Sequence, residues 1–125
     1  MQRILIIDDD ESVRCAIRRL LSKAGFSVQV AMNGTEGVIQ FLGGQFDLVI
    51  VDIWMPEKDG LETLMEIRRN TPEAKVIVMS GGGGGIAPTS HLKRAKELGA
   101  VATLTKPFLS CDLLQAVQEA TQSRS

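Results

Sequence analysis

Five residues of this chain have the types and the spacing to do chemistry together: Asp8, Asp9, Asp52, Ser80 and Lys106. Asp8 and Asp9 follow the apolar run Ile4 to Ile7, and Asp52 follows Leu48 to Val51. Ser80 follows Val76 to Met79, and Lys106 comes just after Val101 to Leu104 and before Pro107. Three carboxylates brought to one place repel strongly in a cleft of low dielectric and call for a cation. Carboxylate oxygens with no neighbouring histidine or thiolate suit a hard ion. Two or three of them, leaving room for water and a phosphate oxygen, suit Mg²⁺ better than a caged Ca²⁺. The run Asp8, Asp9, Asp10, Glu11 also favours a helix start, which accounts for one acid of the run but not for Asp52. Taken alone, Lys106 reads as a side chain reaching out to solvent. Beside three acids and the Ser80 hydroxyl, its ammonium completes a site for a phosphoryl group in transfer, with Asp52 as the candidate nucleophile forming an acyl phosphate.

The elements that must position these residues are legible as five apolar runs, each followed by a segment of helical period; the remaining run is Val28 to Ala31. Leu48 to Val51 and Val76 to Met79 are apolar throughout, as strands covered on both faces are. Val28 and Val30 alternate with Ser27 and Gln29, the pattern of an edge strand. The first helix carries the stripe Val13, Ile17, Leu20, Leu21 and Ala24 and stops at Gly25. The second is expected from Asn33 to Gly43-Gly44, with Gly37 inside it costing about 1 kcal/mol against alanine. The third begins near Gly60 and ends at Thr71-Pro72, the fourth covers roughly Ser90 to Leu98, and the fifth begins at Ser110. Alternating units with right-handed crossovers predict an α/β fold. Rossmann and flavodoxin-like orders both qualify, and five strands with the second at an edge favour a doubly wound parallel sheet of order 2-1-3-4-5, with helices on both faces, in the flavodoxin-like manner. Ligands bind such sheets beyond the carboxyl ends of strands 1 and 3, where the acids lie.

Composition narrows the classes of function. The 125 residues fit one domain, read as 1–121 with a polar tail at 122–125. Net charge is -1 at pH 7, without the basic excess of a nucleic-acid binder. No apolar run approaches the roughly 20 residues of a membrane span. The stretch before Asp8 is too short for a secretory signal, so a cytoplasmic protein is expected, with Cys15 and Cys111 as free thiols. His91 is the only histidine and is read as a surface helix residue.

In these pieces the chain resembles the receiver domains of two-component response regulators. They are Asp8-Asp9, Asp52-Ile-Trp-Met-Pro-Glu-Lys-Asp-Gly60, Ser80 and Lys106-Pro107-Phe108, in order and at the matching strand ends. The resemblance implies that Asp52 accepts a phosphoryl group from a histidine kinase or a histidine phosphotransfer protein. It implies that Asp9 and Asp52, with Asp8 acting partly through water and the Trp54 backbone carbonyl, hold Mg²⁺, and that Ser80 and Lys106 bind the phosphoryl oxygens. A cis Lys106-Pro107 bond is implied, as is a turn at Met55-Pro56 and Asp59-Gly60 leading into the third helix. The first helix commonly docks the phosphodonor in that family, which nominates Arg14 and Arg18. The output partner or fused output domain is left open.

Three positions depart from the family's pattern. Thr103 stands where an aromatic switch residue is usual, Gly81 to Gly85 replace a mixed polar loop, and Trp54 lies two residues beyond the acceptor, where it could shield an acyl phosphate. With Thr103 unable to act as a rotating ring, the activating change is expected in the Gly81 to Gly85 loop and the start of the fourth helix. Two other classes fit the residues less well. A haloacid-dehalogenase-type phosphatase needs a second acid where Trp54 stands. A phosphorylation-independent interaction module would leave the acids, Ser80 and Lys106 without purpose.

Overall fold

The computed structural model describes residues 2–81 and 88–122 of the chain. The strands are β1 (Arg3–Ile7), β2 (Ser27–Ala31), β3 (Leu48–Asp52), β4 (Val76–Ser80) and β5 (Ala102–Thr105). They alternate with the helices α1 (Glu11–Lys23), α2 (Gly34–Gly43), α3 (Gly60–Asn70), α4 (Pro88–Glu97) and α5 (Ser110–Gln122). All strand pairs are parallel, in the order β2-β1-β3-β4-β5, as the sequence predicts. Several elements differ from expectation by a residue or two at their ends. The last strand starts after Val101 and reaches Thr105, and α4 starts at Pro88, a residue well suited to a first helical turn.

Strand alternation divides the core in two. Leu5, Ile7, Val49, Val51, Val76 and Val78 face one way and pack with Val38 and Phe41 of α2, Leu64 and Ile67 of α3 and Ala95 of α4. Ile4, Ile6, Leu48, Ile50, Ile77 and Met79 face the other, against Ile17 and Leu21 of α1 and Leu113 and Val117 of α5. With both faces covered, every residue of β3 and β4 is buried. Among the described residues no helix is long and apolar enough to cross a membrane.

Local chemistry sets the helix starts. Asp10 caps α1, its carboxylate accepting from the Ser12 and Val13 amides at 2.8 and 3.4 Å. That assigns one acid of the run to capping and leaves Asp8 and Asp9 for other work. Asn33 accepts from the Glu36 amide at 2.8 Å, and Asp59 and Glu62 form a capping box at α3. Gly37 proves to be a packing requirement: a Cβ there would stand 2.4 Å from Ile7 Cδ1. At Gly60 a Cβ would stand 2.3 Å from the Asp52 carbonyl oxygen. The absent side chain lets α3 begin directly against the end of β3.

Candidate functional site

The carboxyl ends of β1, β3, β4 and β5 bring the predicted residues together. Asp8 is wholly buried and held at four points. Its amide donates to the Ala31 carbonyl at 3.2 Å, and its Oδ1 accepts from the Asp10 amide at 2.9 Å. Its Oδ2 accepts from Lys106 Nζ at 3.0 Å, and its carbonyl accepts from Arg14 Nη1 at 2.8 Å. Asp9 is exposed. Asp52 is 5 % exposed, the last residue of its strand, and Lys106 Nζ approaches its Oδ1 to 3.2 Å as an ion pair. One carboxylate oxygen each from Asp8, Asp9 and Asp52 lies within 4.8 Å of the others.

Burial is the main influence on Asp52, pushing its pKa from 3.8 up to about 6; the charge of Asp8 pushes the same way, and Lys106 opposes it without prevailing. Burial also works to lower the Lys106 pKa, but Asp52 and Asp8 outweigh it and hold the ammonium above the ordinary lysine value. One lysine thus faces two buried carboxylates, and an exposed third lies beside those two. Among the described residues Asp52 Oδ1 is buried with no hydrogen bond, its close contact being the Lys106 ion pair. Oxygen donors alone, an excess of negative charge and a buried carboxylate oxygen met only by the Lys106 ion pair fit a hard divalent cation such as Mg²⁺.

Ser80 ends β4 fully buried, and its Oγ donates to the Gly81 carbonyl at 3.3 Å. The Lys106 amide donates to the Ser80 carbonyl at 2.8 Å, so the ammonium and the hydroxyl come from backbones bonded to each other. The Lys106-Pro107 peptide is cis. The turn through Met55-Pro56 and Asp59-Gly60 leads into α3 with Glu57 at φ 69° and the Gly60 amide donating to the Ile53 carbonyl at 2.9 Å. Thr103 lies half-buried in β5, paired with Val78.

Three sequence readings need correction or completion. Arg14, nominated with Arg18 for docking, bonds the Asp8 carbonyl through its guanidinium; Arg18 is exposed. His91 is not a plain surface residue. Its ring meets Trp54 edge-on, with centroids 4.8 Å apart, and its Nε2 is buried with no hydrogen-bond partner among the described residues. The Trp54 indole donates to the Gly81 carbonyl at 3.1 Å, the same oxygen that Ser80 uses. Of the glycine loop only Gly81 is described; Gly82 to Gly85 lie outside the described residues. Cys15 and Cys111 are exposed free thiols, as predicted.

The Arg14 and His91 contacts escaped sequence reasoning because hydrophobic period reports the face of a helix and not where a long polar side chain reaches. A faint signal was available for His91 alone, as one of the few rings near the site.

A family model described as response regulator receiver domain matches residues 4–118. The transcriptional regulatory protein DltR of Streptococcus agalactiae is 32% identical over 123 residues, 98% of this chain and 53% of its own length. CpxR of Escherichia coli K12, also a transcriptional regulatory protein, is 34% identical over 118 residues, 94% of this chain and 48% of its own. The chain thus spans about half the length of these curated relatives. Among solved structures, a response regulator receiver domain protein from Clostridium thermocellum superposes with a TM-score of 0.90 at 33% identity, covering 98% of this chain and 95% of its own. The response regulator TrrA of Thermotoga maritima, solved in complex with Mg(2+)-BeF, gives 0.84 at 32% identity, covering 96% of this chain and 99% of its own.

Proposed function

The chain belongs to the response regulator receiver domain family, and from that premise we propose that Asp52 is its phosphoacceptor, served by Lys106 and Ser80. Residues 1–121 act as the receiver unit and 122–125 as a polar tail. A carboxylate oxygen of Asp52 attacks the phosphorus of a phosphohistidine on a histidine kinase or phosphotransfer protein. The new P–O bond forms as the P–N bond breaks, and that bond's electron pair leaves with the imidazole. With a pKa of about 6, Asp52 is mostly ionised at neutral pH and available for attack.

Asp8, Asp9, Asp52 and the Trp54 carbonyl would hold Mg²⁺, which when bound neutralises charge on the phosphoryl oxygens. The Lys106 ammonium, now shared between Asp8 and Asp52, would donate to a phosphoryl oxygen, and the Ser80 hydroxyl to another. The protein catalyses only its own phosphorylation and dephosphorylation, works in the cytoplasm, and passes the change to an output partner or a fused output domain.

The observation that carries this reading is Asp52 itself: a buried carboxylate whose Oδ1 is ion-paired with Lys106, beside Asp8, at the carboxyl edge of a parallel sheet. Mg²⁺ with acetyl phosphate should label the protein once, with an acid-labile phosphate. Asp52→Asn should abolish the label and keep the fold. Stoichiometric labelling of the Asn variant would overturn the assignment.

A further inference from the structure

We propose that Arg14 is a positioning residue for the acidic cluster, acting through the backbone of Asp8 and not as a docking contact for the phosphodonor. The inference rests on the reading of Asp8, Asp9 and Asp52 as a Mg²⁺ site. Arg14 lies one turn into α1, and its own amide donates to the Asp10 carbonyl at 3.0 Å. From there the side chain turns back past the helix start, and Nη1 reaches the Asp8 carbonyl at 2.8 Å. A single peptide plane joins that carbonyl to the amide of Asp9. Fixing the oxygen therefore fixes the direction in which the chain enters Asp9.

Asp9 needs this help more than its neighbours do. Asp8 has its own carboxylate contacts to the Asp10 amide and Lys106, and Asp52 is part of β3. The Asp9 carboxylate is exposed and makes no hydrogen bond among the described residues, yet one of its oxygens belongs to the cluster. Arg14 bonds a neutral carbonyl, and no acid among the described residues forms an ion pair with it. Arg18, one turn further along α1, is exposed and makes no such bond among the described residues.

The test compares the full chain with Arg14→Met, Arg14→Lys and Arg18→Met. Mg²⁺ affinity is measured by titration calorimetry, folding by circular dichroism, and labelling with both acetyl phosphate and a phosphorylated histidine phosphotransfer domain. Partners that orient metal ligands from outside are worth about ten- to a hundred-fold in affinity. Arg14→Met is expected to weaken Mg²⁺ binding by about tenfold or more. It should slow labelling from both donors alike, with the rate recovering at high Mg²⁺. Arg14→Lys, which keeps the charge and one donor, should recover part of the affinity and serves if the Met variant folds poorly. Arg18→Met should leave Mg²⁺ binding and acetyl phosphate labelling unchanged. Wild-type Mg²⁺ affinity in both Arg14 variants overturns the proposal, as does a loss confined to the protein donor. Absence of Mg²⁺ binding by the wild type overturns the metal reading beneath it, a result distinguishable from either.

Discussion

Asp52 is the residue whose burial both equips the site and weakens the metal-free fold. Its pKa lies at about 6 in the folded chain against an ordinary 3.8, so the folded state prefers the protonated form. The contribution of this group to stability is complete below about pH 4, where both states are protonated. It is lost as pH rises through about 6, and two units correspond to roughly 3 kcal/mol. Asp52→Asn has no such titration. In EDTA its stability advantage over the wild type should therefore grow by about 2–3 kcal/mol between pH 4 and pH 7 and then level off. Urea denaturation across that range measures it, and an advantage independent of pH would refute the shift. The same residue shows what could be read from sequence at this scale. Asp8, Asp9, Asp52, Ser80 and Lys106 were all found because each ends an apolar run, a position that a linear pattern reports directly. Arg14 and His91 took their parts from contacts that leave their own helix, to the Asp8 carbonyl and to the Trp54 ring.

At the scale of elements, the strands were legible because β3 and β4 are apolar at almost every position and β2 alternates. What escaped was the fit between elements. Gly37 counted as a helix penalty in the sequence, since its benefit exists only where α2 meets Ile7 of β1. Alanine gains about 1 kcal/mol of helix propensity, but a Cβ 2.4 Å from a buried isoleucine methyl overpacks the contact. Gly37→Ala is expected to destabilise by about 1–2 kcal/mol net by urea denaturation; a more stable variant would mean that Ile7 moves aside freely. Trp54 makes a second junction. Its indole ties the segment after β3 to Gly81 and to α4 through His91, and the Gly81 carbonyl is shared with Ser80. Saturation with Mg²⁺ and beryllofluoride should change Trp54 emission, and Ser80→Ala should diminish that change. Unaltered emission in the wild type would show that the junction does not sense the site.

The whole molecule assembles the acids from positions far apart in the chain, so the cation they favour should bind the folded state alone. At a concentration ten times its Kd, Mg²⁺ adds about 1.4 kcal/mol. For a chain of this size that is roughly 4–6 °C in melting temperature. Calorimetric scans in Mg²⁺ and in EDTA test it, and coincident scans would count against the site. The fold class and strand order were readable because connection rules leave few alternatives to a chain of repeated strand-helix units. One consequence reaches beyond stability. The bond from Lys106 to Asp8 spans 98 positions, and Asp52 lies between them in the chain, on β3. A nascent chain still emerging from the ribosome, or one clipped by a protease ahead of β5, carries Asp52 without the ammonium that faces it. Such fragments lack one of the groups proposed to bind the phosphoryl oxygens, so on that proposal full labelling at Asp52 would report a domain folded through to its last strand.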